Sequence, residues 1–176
     1  QDGAVSGLFF APPVPFALSV DEAAADLLGL SGEMSLLVTR NDEDLIAESA
    51  DTPLAVGSAF KLGVLAEVAS MIEAGNASWD QVLRLEERHK SLPTGDLRRF
   101  PDGSPVTVHT AASLMISQSD NTATDLLLDF AGRDAVSERL GFLVLSTREF
   151  FQLKGDDELR QRFASGDDAA KRAVLD

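Results

Sequence analysis

A serine and a lysine three residues apart, Ser58-Ala59-Phe60-Lys61, open the most apolar stretch of a 176-residue chain. On a helix three residues advance by about 300°, so the two side chains lie one turn apart on one face. Phe60, Leu62, Val64, Leu65 and Val68 flank them. A lysine in such surroundings loses hydration, and desolvation lowers the pKa of its amine. An amine that sheds its proton readily can take the proton of the Ser58 hydroxyl and make it a nucleophile. Ser58 would also stand at the positive end of the helix, where a developing oxyanion is favoured. The same tetrapeptide equally suits an N-cap serine followed by a lysine that snorkels along apolar surface. Alone it decides nothing.

A second cluster, Ser119-Asp120-Asn121, follows 61 positions later, between two helical patterns. Capping the second helix needs one polar residue, and Asp120 or Asn121 suits that task. Here a hydroxyl, a carboxylate and an amide come in succession. Beside the Ser58–Lys61 pair, the Ser119 hydroxyl could relay a proton to a leaving nitrogen or oxygen. The Asn121 amide could hold a substrate carbonyl, and Asp120 would brace the turn. Paired with S-x-x-K at this distance, the motif is considerably more specific.

With these residues in place, the chain resembles class A β-lactamase-like serine hydrolases of the serine β-lactamase and penicillin-binding-protein superfamily, over roughly residues 32–131. The resemblance includes the approach Ala55-Val56-Gly57 to Ser58, Val106-Thr107-Val108 ahead of the second cluster, and Ser113-Leu114-Met115-Ile116-Ser117 leading into it. It implies that Ser58 is the acyl-forming nucleophile, Lys61 its activating partner, Ser119 the relay hydroxyl and Asn121 a substrate-binding group, with Asp120 structural. The implied fold is an α+β, two-lobe β-lactamase/transpeptidase-like domain with the site between the lobes. In the family the loop matching Leu92-Pro93-Thr94-Gly95 borders the cleft.

Two departures bear on what carries over. The family has a K-T-G or K-S-G element on a late strand, yet the lysines are 61, 90, 154 and 171, and none precedes Thr-Gly, Ser-Gly or Gly-Gly. The resemblance thus places that strand beyond Asp176 or in another chain. Class A β-lactamases also deacylate with an omega-loop Glu followed four residues later by Asn. The nearest segment here has Leu153 four after Glu149, and Ser146 with Glu149 matches a capping box. Glu149 therefore reads as structural, and fast penicillin turnover is not expected.

Composition narrows the chemistry further. There is no cysteine and there are two histidines, which excludes disulfides, a thiolate nucleophile and a His-rich metal centre. No cofactor is expected. Lys plus Arg total 15 against 29 Asp plus Glu, a net charge of −14, which repels phosphate backbones and anionic lipid. No nucleic-acid or membrane partner is expected; a small ester, amide or β-lactam is. The apolar stretch from Gly7 to Val20 is broken by Pro12, Pro13 and Pro15 and is neither a signal core nor a span. Absence of cysteine suits any compartment, and the resemblance favours the periplasm or the exterior.

The elements that must position these residues are mainly helices. The chain is read as the N-terminal portion of one domain: an arm and helix over 1–31, a hairpin over 32–50, and a mainly helical lobe over 58–176. Ser19-Val20-Asp21-Glu22 fits a capping box that opens the first helix. Met34–Thr39 and Leu45–Glu48 read as strands around an Asn41–Asp44 turn. A helix is predicted over 58–74, stopped by Gly75-Asn76. Ser78-Trp79-Asp80-Gln81 matches another capping box, Val82–Leu85 a brief strand, and 93–105 a long loop. Thr107 is expected to cap a helix through Ser117, and a further helix runs from Asn121 to before Gly132. Shorter helices are predicted at 133–140, 146–154, 157–164 and 167–175. A hairpin alone is marginal in water, so further strands are expected outside the chain. His89, amid Glu86-Glu87-Arg88-His89-Lys90, reads as solvated, His109 as a surface or capping residue, and Trp79 and the ten Phe as core.

Three functions remain open on sequence: a serine hydrolase working through an acyl-enzyme, a D-alanyl-D-alanine peptidase of the same superfamily, and a non-catalytic binding domain on this scaffold.

Overall fold

The computed structural model describes residues 19–52, 54 and 56–175. The proline-broken arm and Ala55 lie outside them. The chain divides into two compact units, 1–55 and 56–176.

In the first unit, helix α1 (Val20–Leu28) begins at Ser19, whose Oγ accepts the Glu22 N–H while the Glu22 carboxylate accepts the Ser19 N–H, the reciprocal pair its sequence predicts. Strands β1 (Leu36–Arg40) and β2 (Glu43–Glu48) form an antiparallel hairpin in the register Leu36↔Glu48 to Arg40↔Glu43. Its turn is tighter than the sequence suggests. Only Asn41 and Asp42 intervene, both at positive φ (51° and 62°), the arrangement whose twist matches paired strands. Asn and Asp tolerate it because their short polar side chains soften the steric cost.

The second unit is mainly helical. A 3₁₀ turn over Gly57–Phe60 leads into α2 (Lys61–Glu73). This corrects the expected continuous helix from Ser58. Ser58 makes no cap to the backbone, because the turn places it ahead of the α-helix proper. Chain reversal after α2 uses Gly75 at φ 75°. Ser78-Trp79-Asp80 forms a turn rather than a helix start, and it feeds β3 (Val82–Arg84). Against β3 runs β4 (Pro105–Thr107), antiparallel. Strand β4 is missed by sequence because it opens on proline and ends on a residue that also caps a helix. Its Pro105 sits at a strand end, where a missing N–H is tolerated.

Thr107 accepts the Thr110 N–H and starts α3 (Val108–Ser117); Asp120 accepts the Ala123 N–H and starts α4 (Asn121–Ala131). Then come α5 (Arg133–Leu140), α6 (Thr147–Gly155), α7 (Asp157–Ala164) and α8 (Asp168–Leu175), in agreement with the predicted helical patterns. Helix α4 is the hub, packing on α2, α3, α5 and α6. Residues 121–128 are all buried, so no face of its first two turns meets water. A helix enclosed on every side must be approached closely, which selects small and branched aliphatic neighbours. The core is accordingly Val64, Val68, Leu85, Val106, Val108, Met115, Leu127 and Val136, with Ala111 and Ala123 between helices. The aromatic residues are not the core that composition suggested: Trp79, Phe100, Phe142 and Phe150 are all exposed, and Phe60 and Phe130 only flank the cluster. His109 is exposed, edge-on to Trp79. His89 corrects the reading of a solvated stretch. It is 3% exposed, its Nδ1 accepting the Glu86 N–H and its Nε2 facing Asp129 forty residues away.

Candidate active site

The site forms where the 3₁₀ turn, the head of α2 and the α3–α4 junction converge. In a 3₁₀ turn residues i and i+3 eclipse, so Ser58 and Lys61 project to the same side. Lys61 is the first residue of α2 and only 2% exposed. Its Nζ donates three hydrogen bonds of 2.8 Å each, to the Ser119 carbonyl, Ser119 Oγ and Asn121 Oδ1. Ser119 Oγ in turn donates to Ser58 Oγ at 3.1 Å. The described contacts thus join lysine to serine through the Ser119 hydroxyl. The competing picture of a cap serine and a snorkelling lysine does not fit these contacts: Ser58 makes no side-chain cap, and Lys61 is buried with its Nζ bonded to Ser119 and Asn121 rather than led out to the surface.

Each member of the second cluster is tied to the loop over residues 91–97. Ser119 sits at φ 53°, a left-handed conformation that glycine more often supplies at a helix C-terminus. Its carbonyl accepts the Thr94 hydroxyl at 2.7 Å as well as Lys61. Asp120, fully buried, accepts the N–H groups of Asp96 (2.8 Å), Leu97 (3.0 Å) and Ala123 (2.9 Å), so it braces both the loop and α4. A methyl group at Gly95 (φ 97°) would fall on the Asp120 carboxylate, so this position needs glycine for space as well as conformation. Asn121 gives its Oδ1 to Lys61, and its Nδ2 donates to the Leu92 carbonyl at 2.7 Å, leaving one amide hydrogen for another acceptor.

A second layer stands behind these residues. Asp125, one turn after Asn121, accepts the N–H groups of Thr147 (2.6 Å) and Arg148 (3.0 Å) at the start of α6. Thr147 Oγ1 donates to Ser91 Oγ (2.7 Å), and the Ser91 N–H donates to Thr122 Oγ1 (3.0 Å). Sequence reasoning missed Asp125 and Thr147. The available signal was an aspartate on the apolar stripe of a helix, which must find partners or lose its charge.

Burial pushes the Lys61 amine below the usual lysine value, while the charges of Asp120 and Asp125 oppose that shift. Burial also pushes the Asp125 carboxyl up to about 6, against the N–H groups of Thr147 and Arg148 that favour its ionised form. Glu149 is engaged twice: one oxygen accepts the Ser146 N–H at 2.7 Å within a capping box, the other Arg133 at 2.7 Å. Among the described residues no group of three His, Asp or Glu gathers as a metal site.

The sequence model of the beta-lactamase enzyme family matches residues 20–172. The β-lactamase VEB-1 of Pseudomonas aeruginosa is 27% identical over 103 residues, 57% of this chain and 34% of that protein. The chain therefore spans about a third of the length of the curated relative it matches. A β-lactamase structure from Sphaerobacter thermophilus DSM 20745 superposes with a TM-score of 0.51 at 31% identity, covering 55% of this chain and 36% of the other. A mutant of PBP-A, solved as an acyl-enzyme complex with penicillin G, shares the fold at a TM-score of 0.57 and 17% identity, over 75% of this chain and 56% of its own. The chain, with its small hairpin in one unit and its mostly helical second unit, is thus part of a β-lactamase/transpeptidase-like fold. With its family match running from α1 to α8, the chain belongs to the beta-lactamase enzyme family.

Proposed function

We propose that this chain carries the acylation centre of a serine hydrolase that works through an acyl-enzyme on an ester or amide, a β-lactam included. One observation carries the reading: the hydrogen-bonded series Ser58 Oγ, Ser119 Oγ, Lys61 Nζ, ending on a buried amine.

Three N–H bonds to three oxygens describe the resting ammonium. For attack, Lys61 is neutral and its lone pair receives the Ser119 O–H, which frees Ser119 Oγ to accept the Ser58 O–H. As the Ser58 Oγ–carbon bond forms at the substrate carbonyl, one proton moves from Ser58 to Ser119 and another from Ser119 to Lys61. Collapse of the tetrahedral adduct breaks the bond to the leaving nitrogen or oxygen; Ser119 passes its hydroxyl proton to that atom and takes one back from Lys61, which returns to the neutral amine while Ser58 Oγ stays acylated. Asn121 offers its remaining amide hydrogen to a substrate carbonyl, and Asp120 holds the turn.

Glu149 favours a slow second step. Both its oxygens are engaged by Ser146 and Arg133, which leaves it poorly placed to activate a water. A D-alanyl-D-alanine peptidase of the same superfamily forms the same acyl-enzyme without an omega-loop Glu, and that is the second reading. Product analysis on a stem peptide and on a penicillin separates the two.

The test is labelling by a fluorescent penicillin and by a fluorophosphonate, read by gel and intact mass. Wild-type chain should gain a single adduct and Ser58→Ala none. An adduct on Ser58→Ala removes Ser58 as nucleophile.

A further inference from the structure

We propose that Thr94 is a positioning residue of this site: its hydroxyl occupies one lone pair of the Ser119 carbonyl and so limits that carbonyl's hold on the Lys61 ammonium.

A carbonyl oxygen has two lone pairs. Here one receives Lys61 Nζ at 2.8 Å and the other the Thr94 hydroxyl at 2.7 Å. Two donors on one oxygen each draw on the same electron density, so the bond to Thr94 weakens the bond to Lys61. This matters because of how Lys61 is held. The ammonium needs three acceptors, and the relay works by releasing one of them, Ser119 Oγ, so that it can turn and donate. What then retains the proton on Lys61 is the pair Ser119 O and Asn121 Oδ1. Thr94 acts on the first of these.

Thr94 also grips the other end of the cluster, its own carbonyl accepting the Asn121 N–H at 3.3 Å. It therefore spans Ser119 and Asn121 from a loop that Asp120 anchors through Asp96 and Leu97. Among the described residues the charges bearing on Lys61 are Asp120, which caps α4, and Asp125 within it, and both favour the ammonium. Asp96, in the loop, pairs with Arg99 instead. Thr94 is the uncharged counterweight to the two carboxylates. Without its hydroxyl, the Ser119 carbonyl gives more to Lys61, and the proton becomes harder to shed.

The functional meaning rests on the acylation reading above, but the effect on Lys61 can be measured without it. The chain has four lysines, 61, 90, 154 and 171, so carbon-13 labelling at the lysine ε-carbon gives few signals, and Lys61→Met assigns the one of interest. The titration of that signal is followed in wild type, Thr94→Val, which replaces the hydroxyl with a methyl, and Thr94→Ser, which keeps it. The midpoint should rise by about 0.5 to 1 pH unit in Thr94→Val and return in Thr94→Ser. The basic-side rise of the penicillin acylation rate should move with it. A purely structural role would lower the rate at every pH and leave the midpoint in place. A midpoint in Thr94→Val within about 0.2 pH unit of wild type, or below it, overturns the proposal. Thr94 is exposed, and Thr94→Ala supplies a second hydroxyl-free variant if the valine branch disturbs the loop. If the midpoint moves but the wild-type chain is never acylated, the acylation reading fails and the hold of Thr94 on Lys61 stands.

Discussion

An ammonium withdrawn from water is stable only while every one of its hydrogens finds an oxygen, and Lys61 meets that demand with three bonds to two residues. The arrangement leaves it ready to lose a proton. Burial favours the neutral amine, and the ligand it must release, Ser119 Oγ, is the hydroxyl that touches Ser58. The folded value lies below the ordinary lysine value of 10.5, so the neutral amine, the form the proposed acylation needs, accumulates as pH rises through that lower value. The second-order acylation rate should therefore climb along a single basic limb whose midpoint falls below that of free lysine. Lys61→Met should lower the plateau by about 10²- to 10⁴-fold, the usual scale for removing a positioned base. Stopped-flow acylation across pH checks both parts. A wild-type profile that is flat to the highest stable pH, or a Lys61→Met variant acylated at the wild-type rate, would remove Lys61 from the reaction.

Helix α6 shows how far the elements behind the site are held by side chains rather than by local propensity. Its first three N–H groups are all taken: Thr147 and Arg148 by Asp125, Glu149 by Ser146 Oγ at 3.1 Å. Asp125→Ala leaves two of these donors without an acceptor, at a cost of about 1–3 kcal/mol. Amide exchange over 147–151 should quicken while the amides of α4 keep their protection; equal loosening of both helices would show that Asp125 supports the core and not α6. The same helix marks where sequence reading stops. Its capping box was legible, like that of Ser19, and so were the single cap at Thr107 and a cap at Asp120 or Asn121, because a cap is a contact within four residues and its residue types are few. The Ser58–Lys61 and Ser119–Asn121 clusters were legible for the same local reason. What Asp125 does to Thr147, Thr94 to Ser119 or Asp129 to His89 was not, since those contacts join segments 22 to 40 positions apart. The 3₁₀ turn at Ser58 escaped notice because its apolar pattern runs smoothly into α2. Strand β4, no shorter than the legible β3, escaped because it opens on proline and ends on the residue that caps α3.

For the whole chain, the acidic balance and one buried carboxylate push stability in the same direction. A net charge of −14 means that self-repulsion grows as carboxylates ionise, and salt screens it. Asp125 contributes through a route that salt scarcely reaches. Its carboxyl is raised to about 6 in the folded chain and returns to about 4 when unfolded, so between these values the folded chain keeps a proton the unfolded chain has lost. Stability from this group is therefore greatest below about pH 4, falls as pH rises to about 6, and is level above; the gap corresponds to about 3 kcal/mol. Carboxylates such as Asp129, which Arg88 holds below the usual value, act the other way: their stability is present above the ordinary value and lost as pH falls through the lower one. The two windows lie on opposite sides of about pH 4. Urea unfolding from about pH 4.5 to 7.5, at low salt and at about 0.5 M, separates the contributions. In wild type the fall with pH should persist at high salt. In Asp125→Asn, whose absolute stability is lower because an amide nitrogen then faces a backbone N–H, the salt-resistant part of the fall should vanish. If that part survives the substitution, Asp125 titrates like an ordinary aspartate, and its hydrogen bonds to α6 outweigh the loss of water.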